Sequence, residues 1–445
     1  MSSVGFLSLS SLEDARQFVR ARALEKENIL ARVASKAQEI SAPMQNFAVT
    51  EMKKHLLRFA PGWLEEMENM DAALELPENT MLKLQSYAHL VQKETLDCTS
   101  WIVAPELTSA GKMLLHKNRD SQFSLHAPLF FRTPGKFSWF GSCSQLSPAP
   151  LMGINEKGLA VAMNSGEACE KWNPSGLGTP MMARLVLENC STPDEGAKLI
   201  EELRKEKAYS HNKHGSIFFY ANAEYAGITE FCAGRSQYIS FDYGYMIRAN
   251  AWHLPGMTAM STQSSKFNLE KNTIREFMVR EDLNERIAAG GVTPADCITI
   301  TRNRGRLLPE NHTPVCRPTT IASGVFEIDG TFPELSTFCH LSGPARNTIA
   351  LPLFAGGSAL PPELVSCRWT ARAAAFKERR GMDHVLLGAM EEVEKELFKR
   401  HGSTESKAKE LLKAGKRQEA LEVMQKHNQT QFEFAEKQFA EITGC

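Results

Sequence analysis

The stretch DCTSWIVAPELTSAGKMLLHKNRD, residues 97–120, decides how this 445-residue chain is read. Two runs rich in apolar and β-branched residues flank the turn residues Ser109, Ala110 and Gly111. This pattern predicts two antiparallel strands joined as a hairpin. Because the second strand of a hairpin ends beside the start of the first, HKNRD (residues 116–120) is expected next to Cys98.

The rest of the chain alternates strand pairs with helical blocks. PLMGINEKGLAVAMNSG (150–166) repeats the strand, turn and strand pattern, and PMMARLVLENCSTPDEGAKLIEELRKE (180–206) has helical periodicity. Further strands are predicted at 214–242 and 319–341, where Asp329 and Gly330 supply a turn. This order favours an α+β domain with antiparallel sheets over alternating βαβ units.

The predicted hairpins lie between two helical regions. Residues 1–97 are expected to form a helical leader of three or four helices, whose first helix opens with a capping box at Ser10 and Glu13. Residues 98–361 would form the catalytic core. Residues 362–445 would form a C-terminal helical extension, with a break at Gly402 and Ser403.

Composition excludes several classes of partner. Lys plus Arg is 51 and Asp plus Glu is 52, so nucleic acid and anionic membranes are poor candidates. No apolar run approaches the roughly 18 to 20 residues of a spanning helix, and no signal peptide opens the chain, which predicts a cytoplasmic protein. The ten cysteines form no CxxC pair, which argues against a disulfide framework and a zinc site.

Cys98 would become a nucleophile if the Asp97–Cys98 bond were cut. The new N-terminal residue would carry a thiol and an α-amine, whose usual pKa of about 8 suits a general base near neutrality. The same thiol can make the cut by attacking the preceding carbonyl. Such a site needs a cation beside the thiol, a carboxylate for the amine and amide groups near the oxyanion.

The predicted strand ends offer candidates for each role. Lys117, Arg119 and Asp120 return beside Cys98, and AMNSG and RANAWH place Asn164 and Asn250 at the ends of two other strands. No cofactor is required by this chemistry, and no phosphate-binding Gly-rich loop is present.

Together these motifs resemble the N-terminal-nucleophile hydrolases, in the group of the acyl-coenzyme A:6-aminopenicillanate acyltransferases and conjugated bile acid hydrolases. The likeness runs from DCTSW through HKNRD, GINEKGLAVAMNSG and IRANAWH to VCRPTTIASGVFEIDG, over roughly residues 60–355. It implies a four-layer αββα sandwich made as a precursor. The long leader resembles the acyltransferase branch, in which the cleaved propeptide can remain bound as a small subunit.

The resemblance also implies residue roles. Cys98 would be the nucleophile and the processing residue, Asp120 would bind the freed amine, and Asn164 and Asn250 would orient the amine or donate to the oxyanion. The family often has an arginine just before the Asn of its Asn-x-Asp element. In this chain the element is Asn118-Arg119-Asp120, so Lys117 stands at the position of that arginine and Arg119 lies inside the element. For a second, downstream arginine, Lys266 and Arg275 are imperfect matches.

Several alternatives stay open at this level. The acyl acceptor can be water, giving hydrolysis of a small amide or peptide-like substrate, or an amine, giving an acyltransferase. The chain can also be a non-processing homologue that acts as a binding or scaffold protein. A cysteine enzyme with His253 or His340 as the base is a third hypothesis. The oligomeric state stays open, with a homo-oligomer among the alternatives.

Overall fold

A computed structural model describes residues 3–88, 90, 97–121, 125–169, 173–210, 214–262, 266–305, 314–343, 345–380 and 384–444. Within these ranges the protein is built from two antiparallel sheets with helices on their outer faces. The predicted α+β class and its αββα layering are thus confirmed.

The first sheet has six strands and contains the predicted hairpin at its centre. Its strand order is β10-β1-β2-β11-β12-β13, and every pairing is antiparallel. With strands numbered in chain order, its members are β1 (Asp97–Val103), β2 (Met113–Asp120), β10 (Tyr245–Arg248), β11 (Thr320–Ile328), β12 (Thr337–Ser342) and β13 (Leu351–Phe354).

The second sheet has seven strands in simple sequential order, so each strand pairs with the next along the chain. The predicted turn between β5 and β6 is present, and Gly158 adopts φ 82°, a left-handed conformation that glycine takes without steric cost. The strands are β3 (His126–Phe131), β4 (Trp139–Ser144), β5 (Pro150–Asn155), β6 (Ala160–Ala168), β7 (His214–Ala221), β8 (Ala226–Phe231) and β9 (Ser236–Phe241).

Side-chain alternation along the strands separates two apolar layers. In β1, Ile102 packs into the core between the sheets, whereas Trp101 and Val103 pack outward. The outward layer is covered by α9 (Lys266–Ala288) and α10 (Pro294–Thr301). The outer face of the seven-stranded sheet is covered by α6 (Thr179–Asn189) and α7 (Pro193–Lys205), while α8 (Pro255–Thr258) is a single turn near β9.

The N-terminal segment contains five helices in the described residues, rather than three or four. They are α1 (Leu12–Arg22), α2 (Lys26–Gln38), α3 (Ala42–Phe59), α4 (Gly62–Ala73) and α5 (Thr80–Ala88). The predicted first helix is divided because Ala23 takes a left-handed conformation and closes α1. The cap of α1 is Ser11, which accepts a hydrogen bond from the Asp14 amide, so the predicted cap at Ser10 was one residue early.

The C-terminal segment is also helical. It comprises α11 (Pro362–Val365), α12 (Arg368–Arg380), α13 (His384–Lys413) and α14 (Arg417–Thr443). The predicted break at Gly402 and Ser403 was wrong, since α13 runs through both residues and the chain turns at Gly415. Helices α13 and α14 pack on each other and on β13 at the edge of the six-stranded sheet. No helix in the described ranges is long and apolar enough to cross a membrane.

Candidate active site

The hairpin register places Cys98 opposite Arg119, and Ser100 opposite Lys117. Because paired residues project to the same face of a sheet, these four side chains share one face. Ser100 and Lys117 both donate to Asn164 on β6, so this is the face that meets the seven-stranded sheet. The predicted return of HKNRD beside Cys98 is therefore observed.

The Cys98 thiol is fully buried and lies among cations. Arg119 Nη1 approaches Sγ to 3.8 Å, and Lys117 is a second positive charge acting on the sulfur. Burial alone would raise the pKa of the Cys98 thiol, but the positive charges of Lys117 and Arg119 outweigh it and lower that pKa overall. A thiol in such surroundings is a better nucleophile than a buried structural cysteine.

Lys117 connects the thiol to the second sheet. Its Nζ donates to Asn164 Oδ1 at 2.6 Å, and burial lowers the pKa of Lys117 to about 8. Asn164 Nδ2 in turn donates to the carbonyl oxygens of Arg248 and Ala249, at 3.1 and 2.8 Å. Both amide hydrogens of Asn164 are thereby used, so its contribution is to hold Lys117 and the 248–249 backbone in place.

Asn250 contacts the backbone of the candidate nucleophile directly. Its Oδ1 accepts the Cys98 amide hydrogen at 2.9 Å, and its Nδ2 donates to the Ser165 carbonyl at 2.8 Å. Cleavage of the Asp97–Cys98 bond would turn this amide nitrogen into the α-amine. Asn250 is therefore positioned to orient that amine, one of the two roles that the sequence left open for it.

Helix α9 supplies the second arginine. Arg275 is fully buried, and its Nη1 donates to the Cys98 carbonyl at 2.6 Å. Its Nη2 donates to Asn250 Oδ1 at 3.0 Å and to Asn272 Oδ1 at 2.6 Å. Of the two candidates, Arg275 thus occupies the site, while the side chain of Lys266 lies outside the described residues.

The Asp97 carboxylate is held by two arginines. Arg317 Nη1 donates to Asp97 Oδ2, and Arg275 Nη2 lies 3.6 Å from Asp97 Oδ1. Burial would raise the pKa of Asp97, but the charges of Arg275, Arg317 and Lys271 lower it overall. The residue on the acyl side of the candidate scissile bond is therefore an anion in a cationic pocket.

Asp120 lies behind the start of β1, opposite Asp97 in the register. Thr320 donates to Asp120 Oδ1, and Arg317 Nε lies 3.9 Å from Oδ2. Burial raises the pKa of Asp120 despite the nearby arginines. Within the described chain, Oδ2 has no hydrogen-bond partner, so it can accept a further donor.

The structure brings all six predicted site residues together: Cys98, Lys117, Arg119, Asp120, Asn164 and Asn250. Sequence reasoning gave no role to Arg317, Thr320 or Asn272. The first two lie in VCRPTTIASGVFEIDG, a segment that the resemblance had used only as a fold marker. Their position next to Asp120 depends on the non-local pairing of β11 with β2, which the sequence patterns did not predict.

The two histidines weighed as alternative bases have other partners. His253 pairs with Glu276 at 3.0 Å, and its backbone amide donates to Glu230. His340 lies on β12, two strands beyond β2, with Nε2 2.9 Å from Ser342 Oγ. Burial, with the charge of His126, lowers the pKa of His340 to about 3, which suits a neutral structural histidine.

The site thus lies between two facing antiparallel sheets, with Cys98 near the start of β1. Residues 107–285 match the family model described as acyl-coenzyme A:6-aminopenicillanic acid acyl-transferase, which confirms the resemblance predicted from the motifs. No curated relative matches the chain at the sequence level.

Several solved structures are similar to this chain. Penicillin V acylase from Agrobacterium tumefaciens is 13% identical, with 58% of this chain and 86% of that one covered, at a TM-score of 0.40. A variant of conjugated bile acid hydrolase from Clostridium perfringens is 13% identical, with 58% of this chain and 92% of that one covered, at a TM-score of 0.39. The Caenorhabditis elegans ortholog of N-acylethanolamine-hydrolyzing acid amidase is 14% identical, with 52% of this chain and 92% of that one covered, at a TM-score of 0.35.

Proposed function

We propose that this chain is a precursor that cuts its own Asp97–Cys98 bond and then hydrolyses linear amides of small or peptide-like substrates through a thioester on Cys98. One observation carries the proposal: both reactive groups of residue 98 are already held. Its amide nitrogen donates to Asn250, and its thiol lies 3.8 Å from Arg119 with a lowered pKa.

In the first reaction the Cys98 thiolate attacks the Asp97 carbonyl carbon. The C–N bond breaks, the leader is transferred to sulfur as a thioester, and water releases it as a carboxylate. The freed α-amine keeps Asn250 Oδ1 as its acceptor, and Asp120, whose Oδ2 is unpartnered within the described residues, is the proposed carboxylate for its charged form. Arg275 holds the Cys98 carbonyl, which keeps the new terminus in place.

In the second reaction an exogenous amide takes the place of the leader. The α-amine, in its neutral form, accepts the thiol proton and later returns a proton to the leaving amine. Water resolves the acyl-thioester. Transfer to an amine instead of water is the alternative outcome, and the fold favours neither.

The cut leader is expected to remain bound as a small subunit. Arg184 on α6 makes two 2.7 Å hydrogen bonds to Glu66 on α4, inside the protein. Arg22 at the end of α1 is fully buried and donates to carbonyl oxygens at Cys143, Ser144 and Val365. These contacts are non-covalent and do not depend on the Asp97–Cys98 bond, so cleavage of that bond leaves them in place.

The intact mass of the purified protein under denaturing conditions tests the proposal, beside the variant Cys98→Ala. We expect fragments of residues 1–97 and 98–445 in the parent and one uncut chain in the variant. A single uncut chain in both, with the parent folded, would favour the non-processing binding protein instead.

The acceptor is tested on the processed protein. Release of p-nitroaniline from an N-acyl p-nitroanilide measures formation of the acyl-thioester, and the acyl product formed with hydroxylamine present, free acid by hydrolysis or hydroxamate by transfer, identifies the acceptor. Hydrolysis without hydroxamate supports the amidase, whereas hydroxamate as the main product supports the acyltransferase. The cytoplasmic location expected from the sequence remains a prediction.

A further inference from the structure

In the proposed self-cleavage, Asp97 supplies the first acyl group that Cys98 attacks. The thiol that attacks the Asp97 carbonyl also attacks the substrate carbonyl in the proposed function. The group attached to the Asp97 carbonyl therefore lies where the acyl group of a substrate has to lie.

That group is anionic and its surroundings are built for an anion. Asp97 Oδ2 accepts from Arg317 Nη1, Oδ1 lies 3.6 Å from Arg275, and Lys271 adds a third positive charge nearby. The Arg317 side chain is only 11% exposed. Its Nε and Nη2 are buried and have no hydrogen-bond partner in the described chain.

Departure of Asp97 would leave these arginines without their principal anion. Asp120 is the remaining carboxylate beside Arg317, at 3.9 Å from Nε. A buried guanidinium that has lost its carboxylate is costly unless another anion replaces it. An incoming carboxylate can engage Arg317 through two parallel N–H groups, the strongest geometry for this pair.

We infer that the processed enzyme prefers acyl groups in which two carbon atoms separate the reacting carbonyl from a carboxylate, as in succinyl amides. Arg317 binds this carboxylate and so selects these substrates. The inference rests on the proposed function. The carbonyl carbon, Cα, Cβ and carboxylate of Asp97 have the same connectivity as a succinyl group, which explains the chain length. Arg317 is a specificity residue here, since it contacts the remote carboxylate and not the reacting atoms.

The reaction needs no further reactant. The Cys98 thiolate adds to the succinyl carbonyl, the C–N bond breaks, and the amine leaves with one proton. Water then adds to the thioester, the C–S bond breaks, and succinate and the thiol are released.

The test compares three p-nitroanilides on protein whose processing has been verified by mass: succinyl, its neutral isostere succinamoyl, and butanoyl. We expect kcat/KM for the succinyl amide to be at least about tenfold higher than for the other two, since a charge-assisted pair is lost in each. In Arg317→Met the succinyl value should fall to that of succinamoyl, and Arg317→Lys should keep part of the preference. The exposed Arg235 gives the control Arg235→Met, in which the preference should persist.

Because Asp97 is also the leader's terminal residue, Arg317→Met can fail to process. Product inhibition of the parent then decides: succinate should inhibit at least about tenfold more strongly than succinamate or butanoate. Equal kcat/KM values, or equal inhibition, in a processed and active parent overturn this inference alone. An unprocessed parent, or one inactive on all three amides, overturns the proposed function as well.

Discussion

Two buried arginine and carboxylate centres in this molecule differ in how completely their charges are paired. At the leader interface, Arg184 donates to both oxygens of Glu66 and to Glu188, and Thr133 also bonds to Glu188. Burial would lower the pKa of Arg184, but Glu188 and Glu66 raise it overall. Every strong donor in this centre has an acceptor.

At the candidate active site the pairing is incomplete. Within the described residues, the buried Nε and Nη2 of Arg317 have no hydrogen-bond acceptor, and Oδ2 of Asp120 has no donor. Both groups adjoin Asp97, the residue expected to depart. A saturated centre stabilises the fold, whereas an unsaturated one retains capacity to bind something else.

The largest expected effect on stability comes from Arg184→Met. It leaves Glu66 and Glu188 buried without their cation, so the free energy of unfolding should fall by about 3 to 5 kcal/mol in urea titrations. The control is Arg58→Met, which removes a mostly exposed pair with Glu206 and should cost less than about 1 kcal/mol. An equal loss of unfolding free energy in Arg184→Met and Arg58→Met would contradict a stabilising role for the buried centre.

Asp120→Asn should separate activity from stability. The amide keeps the shape of the side chain but cannot bind an ammonium as a carboxylate does, so turnover should fall about 100-fold while the urea midpoint changes little. The exposed Asp242 provides the control Asp242→Asn. Normal turnover in Asp120→Asn would remove Asp120 from the site.

Lys117→Met should shift the pH dependence of processing. Loss of this charge raises the pKa of Cys98, so less thiolate is present at neutral pH and the rate profile should move to higher pH. In the parent, Lys117 itself loses its proton as pH rises through about 8, so its support of the thiolate declines there. An unchanged profile in time-resolved mass measurements would assign the thiol's activation to Arg119 alone.

His253→Ala should have the smallest effect. His253 pairs with Glu276 and is partly exposed, so processing should proceed at the parent rate. His340→Ala should also process, although its loss from the core will lower stability. Loss of cleavage in either variant, with the fold retained by circular dichroism, would favour a histidine base.

The local part of the site was predictable from sequence. A short connection, residues 104–112, joins β1 to β2, so the return of Lys117, Arg119 and Asp120 to Cys98 follows from the hairpin alone. Asn164 was predicted to end a strand and to act on the amine or the oxyanion, but the strand-end prediction was wrong, since β6 continues to Ala168. The contact of Asn164 with Lys117 needs the two sheets to face each other, which hairpin patterns do not encode.

The distant part was not predictable in this way. Arg317 reaches Asp97 because β11 pairs with β2 across about two hundred residues of sequence, a non-local pairing that turn chemistry does not determine. The choice between Lys266 and Arg275 depended on which side of α9 faces β1. Two helix boundaries show the same limit. The sequence did not predict that α1 ends at Ala23, and it predicted a helix end at Gly402 where α13 continues, since tertiary packing overrides local helix signals.

The position of Cys98 within a doubly paired strand has one more consequence. β1 is hydrogen-bonded to β10 on one side and β2 on the other, so the sheet survives the loss of one covalent bond. After the proposed cut, however, the leader and the core would be separate molecules in the unfolded state. Renaturation would then be bimolecular and its yield would fall on dilution, whereas the uncut precursor would refold as one chain at any dilution.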